Sequence, residues 1–83
     1  MKQLIYFSAN WCAACQSMNS AVDQVAKSGI QVAKIDTDYD VSLTEQYKVK
    51  SIPTVVVLEN GQEIKRYSGG ALTESQLKNF ING

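Results

Sequence analysis

Cys12 and Cys15 are the only thiols of the chain, and they stand with two residues between them directly behind Trp11 in the stretch NWCAACQSM, residues 10 to 18. On a helix, residues three apart lie on one face with Cβ atoms about 5 to 6 Å apart. A disulfide asks for Cβ atoms at about 3.5 to 4.5 Å and Cα atoms at about 4.4 to 6.8 Å, so the first turn of a helix closes such a pair with a small adjustment. On a strand the same two side chains would point to opposite faces, roughly 10 Å apart. A helical placement therefore makes a reversible, two-electron disulfide possible.

Position adds to spacing. The unsatisfied N–H groups and the positive dipole end at a helix N-terminus stabilise an anion, which makes Cys12 the easier thiolate. Thiols in such places titrate at about 3.5 to 7.5, so part of the population is nucleophilic near neutral pH. Cys15, one turn further in and facing the core, suits a second step. The chemistry that follows is attack by Cys12 on a partner's disulfide, a mixed disulfide, and displacement of the reduced partner by Cys15. Two other readings exist for a thiol pair. Zinc takes four protein ligands in a structural site and three in a catalytic one, and the chain has no histidine and no third cysteine, so no metal is expected. The pair could also be two small buried hydrophobes. An exposed position between a strand and a helix start favours exchange chemistry over packing.

The 83 residues suit one domain, 1–83, with a modest core. Eight basic and eight acidic side chains give a formal charge of zero, which argues against nucleic acid or an anionic membrane as partner. The start, MKQLIYFSANW, lacks the apolar region and cleavage site of a secretory signal, and no apolar run approaches the roughly 20 residues of a membrane span. In a reducing cytosol a lone disulfide would not persist as a staple. These features point to a soluble, cytoplasmic monomer that works without a bound cofactor.

Which elements hold the thiols? The run KQLIYFS, 2 to 8, is nearly continuous in apolar character, like a central parallel strand covered on both faces. From Cys12 the apolar positions Cys15, Met18, Val22, Val25 and Ala26 recur at helical intervals, and Gly29 closes the helix. IQVAKID, 30 to 36, reads as a second strand nearer an edge. Ser42 and Glu45 have capping-box spacing for a short helix ending near Lys48. Asn60 and Gly61 between two strand-like runs predict an antiparallel hairpin. Thr73 and Gln76 form a second capping box, with Leu72 and Leu77 as the hydrophobic staple of a last helix that buries Leu77, Phe80 and Ile81. The expected fold is an α/β sandwich: a four-stranded mixed sheet, three strands parallel and one antiparallel, flanked by three helices.

The chain resembles the thioredoxin superfamily along its whole length. IYFSANWCAACQSM is similar to that family's strand, active-site loop and helix, and SIPTVVVLENGQEIKRYSGGALTESQL to its Ile-Pro-Thr segment, hairpin, glycine turn and last helix. It looks like a minimal thioredoxin with a WCAAC active site, without the N-terminal strand and helix of full-length members. The resemblance implies that Cys12 is the attacking thiol, that Cys15 is the resolving thiol, and that the bond before Pro53 is cis. It also implies an apolar substrate-binding rim of Trp11, Ile52, Pro53, Gly70 and Ala71, with the Ile52 backbone pairing to an extended substrate segment.

Departures from the family concern redox tuning. Ala13 and Ala14 replace the usual Gly-Pro between the cysteines, Tyr6 replaces a buried aspartate, and Ser20 replaces a helix-kinking proline. Lys34 matches the lysine beside that aspartate, is left without this partner, and reads as a solvated edge-strand side chain. Tyrosine is a poor base near neutral pH, so resolution by Cys15 is expected to be slow. The implied function is a protein-disulfide oxidoreductase in electron transport and cell redox homeostasis, reduced by thioredoxin reductase or by glutathione. One alternative is a glutaredoxin-like, glutathione-dependent reductase, against which stand the missing Cys-Pro-Tyr-Cys motif and the Ala71-Leu72 pair after the glycines. Another is a thioredoxin-fold binding subunit that uses Trp11, Ile52 and Ala71.

Overall fold

The computed structural model describes residues 1–83. The order of elements is β1 (Lys2–Ser8), α1 (Ala13–Lys27), β2 (Gln31–Asp36), α2 (Val41–Gln46), β3 (Thr54–Glu59), β4 (Gln62–Ser68) and α3 (Glu74–Asn82). The strands form one sheet in the order β2-β1-β3-β4, so β1 is central and β2 is an edge, as the sequence suggests.

The sheet corrects the expectation of three parallel strands. Only β1 and β2, joined by the α1 crossover, run parallel. Strand β3 is antiparallel to β1, and β4 is antiparallel to β3. The run TVVVL hides the direction of β3. Val55 and Val57 belong to one core cluster, Val56 and Leu58 to the other. A continuous apolar run reports burial on both faces, and helices covering both faces impose that pattern whichever way the strand points.

On one face, Leu4, Tyr6, Val55 and Val57 pack with Met18, Ala21, Val22 and Val25 of α1 and with Leu77 and Ile81 of α3. On the other, Ile5, Phe7, Val56 and Leu58 meet Ile35, Leu43, Tyr47, Val49 and Ile52. Helix α1 starts at the cysteines, with Cys12 as N-cap. Its buried stripe takes in Ala21, whereas Ala26, placed on that stripe by spacing alone, is exposed. Gly29, at φ 105°, follows its end.

Helix α2 begins earlier than the Ser42–Glu45 spacing suggests. Asp40 is its N-cap, with Oδ1 accepting the Leu43 N–H at 3.0 Å. Aspartate caps as well as serine, and the residue that reaches the third N–H after it takes the role. The Asn60-Gly61 hairpin is present with both residues at positive φ, 53° and 85°. In α3 both halves of the capping box form: Thr73 Oγ1 accepts the Gln76 N–H at 3.2 Å, and Gln76 Oε1 accepts the Thr73 N–H at 2.9 Å. Leu72 packs against the cluster that holds Leu77.

Candidate active site

The β1–α1 turn carries the two thiols as a disulfide, with Cα atoms 5.2 Å apart. The turn is built by its own backbone: the Cys12 N–H donates to Ala9 O at 3.2 Å, and the Gln16 N–H to Cys12 O at 3.1 Å. As N-cap, Cys12 has extended φ/ψ, and its Sγ accepts the Cys15 N–H at 3.2 Å. A sulfur replaces the usual capping oxygen. One backbone donor and the helix dipole are thus aimed at Cys12 Sγ, and α1 has no acidic residue in its first turn to oppose them. Cys12 keeps 7% of its surface exposed and Cys15 none, so an incoming disulfide reaches Cys12 first. Ala13 is exposed and Ala14 half-buried, and neither has a side-chain group to hydrogen-bond a sulfur.

Behind the pair sits Tyr6, fully buried. Its hydroxyl lies 2.9 Å from Cys15 O and 3.0 Å from Asn19 Oδ1, and its single proton serves one of them at a time. Burial pushes the phenol above its usual titration range; the Ser8 hydroxyl works against this and the Asp23 charge adds to it. The phenol is therefore a neutral donor at pH 7. None of the eight carboxylates is buried, and only Asp36 is half-buried, so no carboxylate takes the place of the missing aspartate. Lys34 is opposite Tyr6 in the parallel register and is not unpaired as expected. It forms an ion pair with Asp23 of α1, with about half of each side chain exposed. Such an exposed pair contributes about 0 to 1 kcal/mol.

Three loops share the end of the sheet at which the turn leaves β1, as the pairings Ser8–Asp36, Phe7–Thr54 and Thr54–Ser68 require. Trp11 is 70% exposed, and its indole N–H donates to Asp38 Oδ2 at 2.9 Å. The Ile52–Pro53 bond is cis, with Ile52 half-buried and Pro53 buried. The Gly69 N–H reaches Pro53 O at 3.4 Å, and the Tyr67 hydroxyl donates to Gly70 O at 2.8 Å, tying the glycine turn to the proline loop. Thr54 reinforces the junction through Ser51 O at 2.6 Å and Ser68 Oγ at 2.7 Å. Gly70 and Ala71 are exposed, and Ala71 opens onto a groove of about 350 Å³ between α1 and the start of α3. No hydrogen bond joins the proline loop to the cysteine turn.

Asn19, Asp38 and Tyr67 are the residues of this region that the sequence does not single out. They act through partners distant in sequence or through a backbone carbonyl, which no local pattern reports. Of the paired glycines that the sequence marks as a turn, Gly69 alone has positive φ, at 146°.

Comparison with known proteins agrees with this arrangement. The thioredoxin family profile matches residues 1–83. A thioredoxin-like protein of Synechocystis sp. is 41% identical over 84 residues, covering 94% of this chain and 80% of the relative. Thioredoxin-1 of Drosophila yakuba is 41% identical over 78 residues, covering 90% of this chain and 71% of the relative. Among solved structures, a mutant thioredoxin from Halobacterium salinarum matches with a TM-score of 0.90 at 33% identity, covering 98% of this chain and 72% of that one. The resemblance seen in the sequence is thus matched by fold and by relatives over nearly the whole chain, which belongs to the thioredoxin family of thiol-disulfide oxidoreductases.

Proposed function

We propose that residues 1–83 form a single thioredoxin-like domain that reduces protein disulfides, with Cys12 as nucleophile and Cys15 as resolving thiol. The reading is carried by one observation: Cys12 Sγ is the N-cap acceptor of α1, at 3.2 Å from the Cys15 N–H, at the more exposed end of the pair. In the reduced protein the same N–H and the helix dipole favour a Cys12 thiolate. That thiolate attacks one sulfur of the substrate disulfide, forms a mixed disulfide and releases the other substrate sulfur as a thiolate that takes a proton from water. Cys15, deprotonated, then attacks Cys12 Sγ. The mixed bond breaks, the second substrate thiol leaves, and two electrons have passed to the substrate while Cys12–Cys15 is oxidised.

The remaining residues take supporting roles. Trp11, Ile52, Pro53, Gly70 and Ala71 are the substrate-binding surface, with the Ile52 backbone offered to an extended segment by strand addition. Ala13, Ala14, Tyr6 and Lys34 set the redox potential, the alanines by giving the sulfurs no side-chain donor and Tyr6 by holding the Cys15 turn without acting as a base. Thioredoxin reductase or glutathione returns the electrons. The setting is the cytoplasm, where the chain acts as a monomer in electron transport and redox homeostasis; no helix is long and apolar enough to cross a membrane, and the zero net charge favours neither nucleic acid nor a lipid surface. No metal or cofactor enters the scheme.

Trapping tests the assigned roles. Cys15→Ser should accumulate a mixed disulfide through Cys12 with a disulfide substrate, and Cys12→Ser should accumulate none. Equal trapping in the two variants would reverse or abolish the assignment.

A further inference from the structure

The molecule has one concavity, the groove of about 350 Å³ between α1 and the start of α3. Ala21, Ala71 and Leu72 give it an apolar lining, and around them stand Ser17, Ser20 and Gln24, all exposed. The side-chain hydrogen bonds in the middle of α1 involve Gln16, Asn19 and Asp23 and leave these three without a partner in the protein. The one charged residue of the groove, Glu74, is neutralised by Lys78 at 2.9 Å.

This groove is continuous with the surface that a substrate must cover. Exchange requires a substrate sulfur to touch Cys12 Sγ, and the next residue, Ala13, is exposed. From Ala13 the positions Ser17, Ser20 and Gln24 follow at helical intervals, so one stripe of α1 leads from the exchange site into the groove. Ala71, directly after the glycine turn, leads into it from the proline-loop side. Along the α1 axis Ser17 lies about 6 Å and Ser20 about 10 Å beyond Ala13. An extended chain advances about 3.3 Å per residue, so the groove is reached by a side chain about two to four residues from the attacked cysteine.

The lining selects a large, uncharged side chain. A lysine or glutamate would lose water there and find no free counter-ion. A small side chain would leave the apolar lining in water. An aromatic ring covers Ala21, Ala71 and Leu72 in one piece, and a tyrosine hydroxyl has Ser17, Ser20 and Gln24 as hydrogen-bond partners.

We propose that the groove between α1 and α3 is a substrate subsite for one aromatic side chain, tyrosine above all, carried about two to four residues from the cysteine that Cys12 attacks. The proposal rests on the oxidoreductase reading and specifies its substrate class. The test uses linear peptides with a single cysteine, joined by a disulfide to an aromatic thiol that is coloured on release. The Cys12 thiolate of the reduced protein attacks the peptide sulfur, the Cys12–peptide disulfide forms, and the aromatic thiolate leaves with the electron pair of the broken bond. Tyrosine is moved stepwise through both flanks of an otherwise neutral peptide, with alanine, lysine and glutamate as replacements. At the matching distance on one flank, tyrosine should raise the second-order rate constant about fivefold or more over alanine, and neither lysine nor glutamate should do so. In Ser17→Trp and in Ser20→Trp, each of which fills the groove from its own wall, the tyrosine-to-alanine ratio should fall close to one. Equal rates for tyrosine and alanine at every position, a gain that ignores position, or a ratio unchanged in both folded variants would overturn the subsite and leave exchange standing. A lysine or glutamate peptide as fast as the tyrosine one would overturn it as well. Colour release no faster than with Cys12→Ser would refute the oxidoreductase reading itself, and the subsite with it.

Discussion

Removing the Tyr6 hydroxyl should leave the resolving step as fast and as steep in pH as before. The phenol is buried, held protonated by that burial, and placed to donate to Cys15 O or Asn19 Oδ1. It therefore takes no proton from Cys15 near pH 7, and no buried carboxylate is there to do so. With no base in the protein to take the Cys15 proton, solvent must take it, so resolution should quicken as pH rises. Tyr6→Phe keeps the ring in the core and removes one hydrogen-bond donor. The cost is about 1 kcal/mol, or about 4 to 8 °C in Tm for a domain of this size. Stopped-flow reaction of the reduced protein with an aromatic disulfide that releases coloured thiolates separates the steps, one thiolate leaving on attack by Cys12 and the second on resolution by Cys15. The slope of the second phase between about pH 6 and pH 8 should be the same in wild type and Tyr6→Phe. A flat profile in the wild type that becomes steep in Tyr6→Phe would make the phenol the base after all.

Other consequences follow from the same geometry. Tyr6→Asp should speed the second phase by supplying the missing acceptor, while truncating a buried aromatic at about 3 kcal/mol or more of stability, read by denaturant unfolding. Because Tyr6 holds its proton to higher pH in the folded chain than in the unfolded one, the folded state binds more protons above about pH 10, and stability should fall there more steeply in the wild type than in Tyr6→Phe. Thr73→Ala removes one half of the α3 capping box and should cost about 1 kcal/mol, with Thr73→Ser close to neutral. Gly69→Ala would place a Cβ 3.2 Å from the Tyr67 hydroxyl at φ 146° and should cost about 1 to 3 kcal/mol, whereas Gly70→Ala meets open space and should stay within about 0.5 kcal/mol.

Where a feature depends on residues adjacent in the chain, the sequence carried it. The helix start at the cysteines, the Asn60-Gly61 hairpin and the Thr73–Gln76 capping box are short-range hydrogen-bonding patterns, and each is present. The cis bond at Pro53 came from resemblance to a family, since residue type alone favours trans. The direction of β3 was hidden because Val55 to Leu58 are buried on both faces whichever way the strand runs. The α2 cap was misplaced because Asp40 and Ser42 both have the chemistry, and only the backbone decides between them. Long-range contacts leave no local trace: nothing near Trp11 announces Asp38, nothing near Lys34 announces Asp23, and nothing near Tyr6 announces that its hydroxyl meets the Cys15 carbonyl.

NADPH consumption with insulin as disulfide substrate, run in parallel with thioredoxin reductase and with glutathione plus its reductase, against Cys12→Ser, decides whether the chain reduces protein disulfides. Turnover that depends on Cys12 is expected with at least one electron source; turnover with glutathione alone would place the chain on the glutaredoxin side of the same chemistry. Equal rates for wild type and Cys12→Ser with both sources, while the wild-type protein keeps its fold, would contradict disulfide reduction as its function.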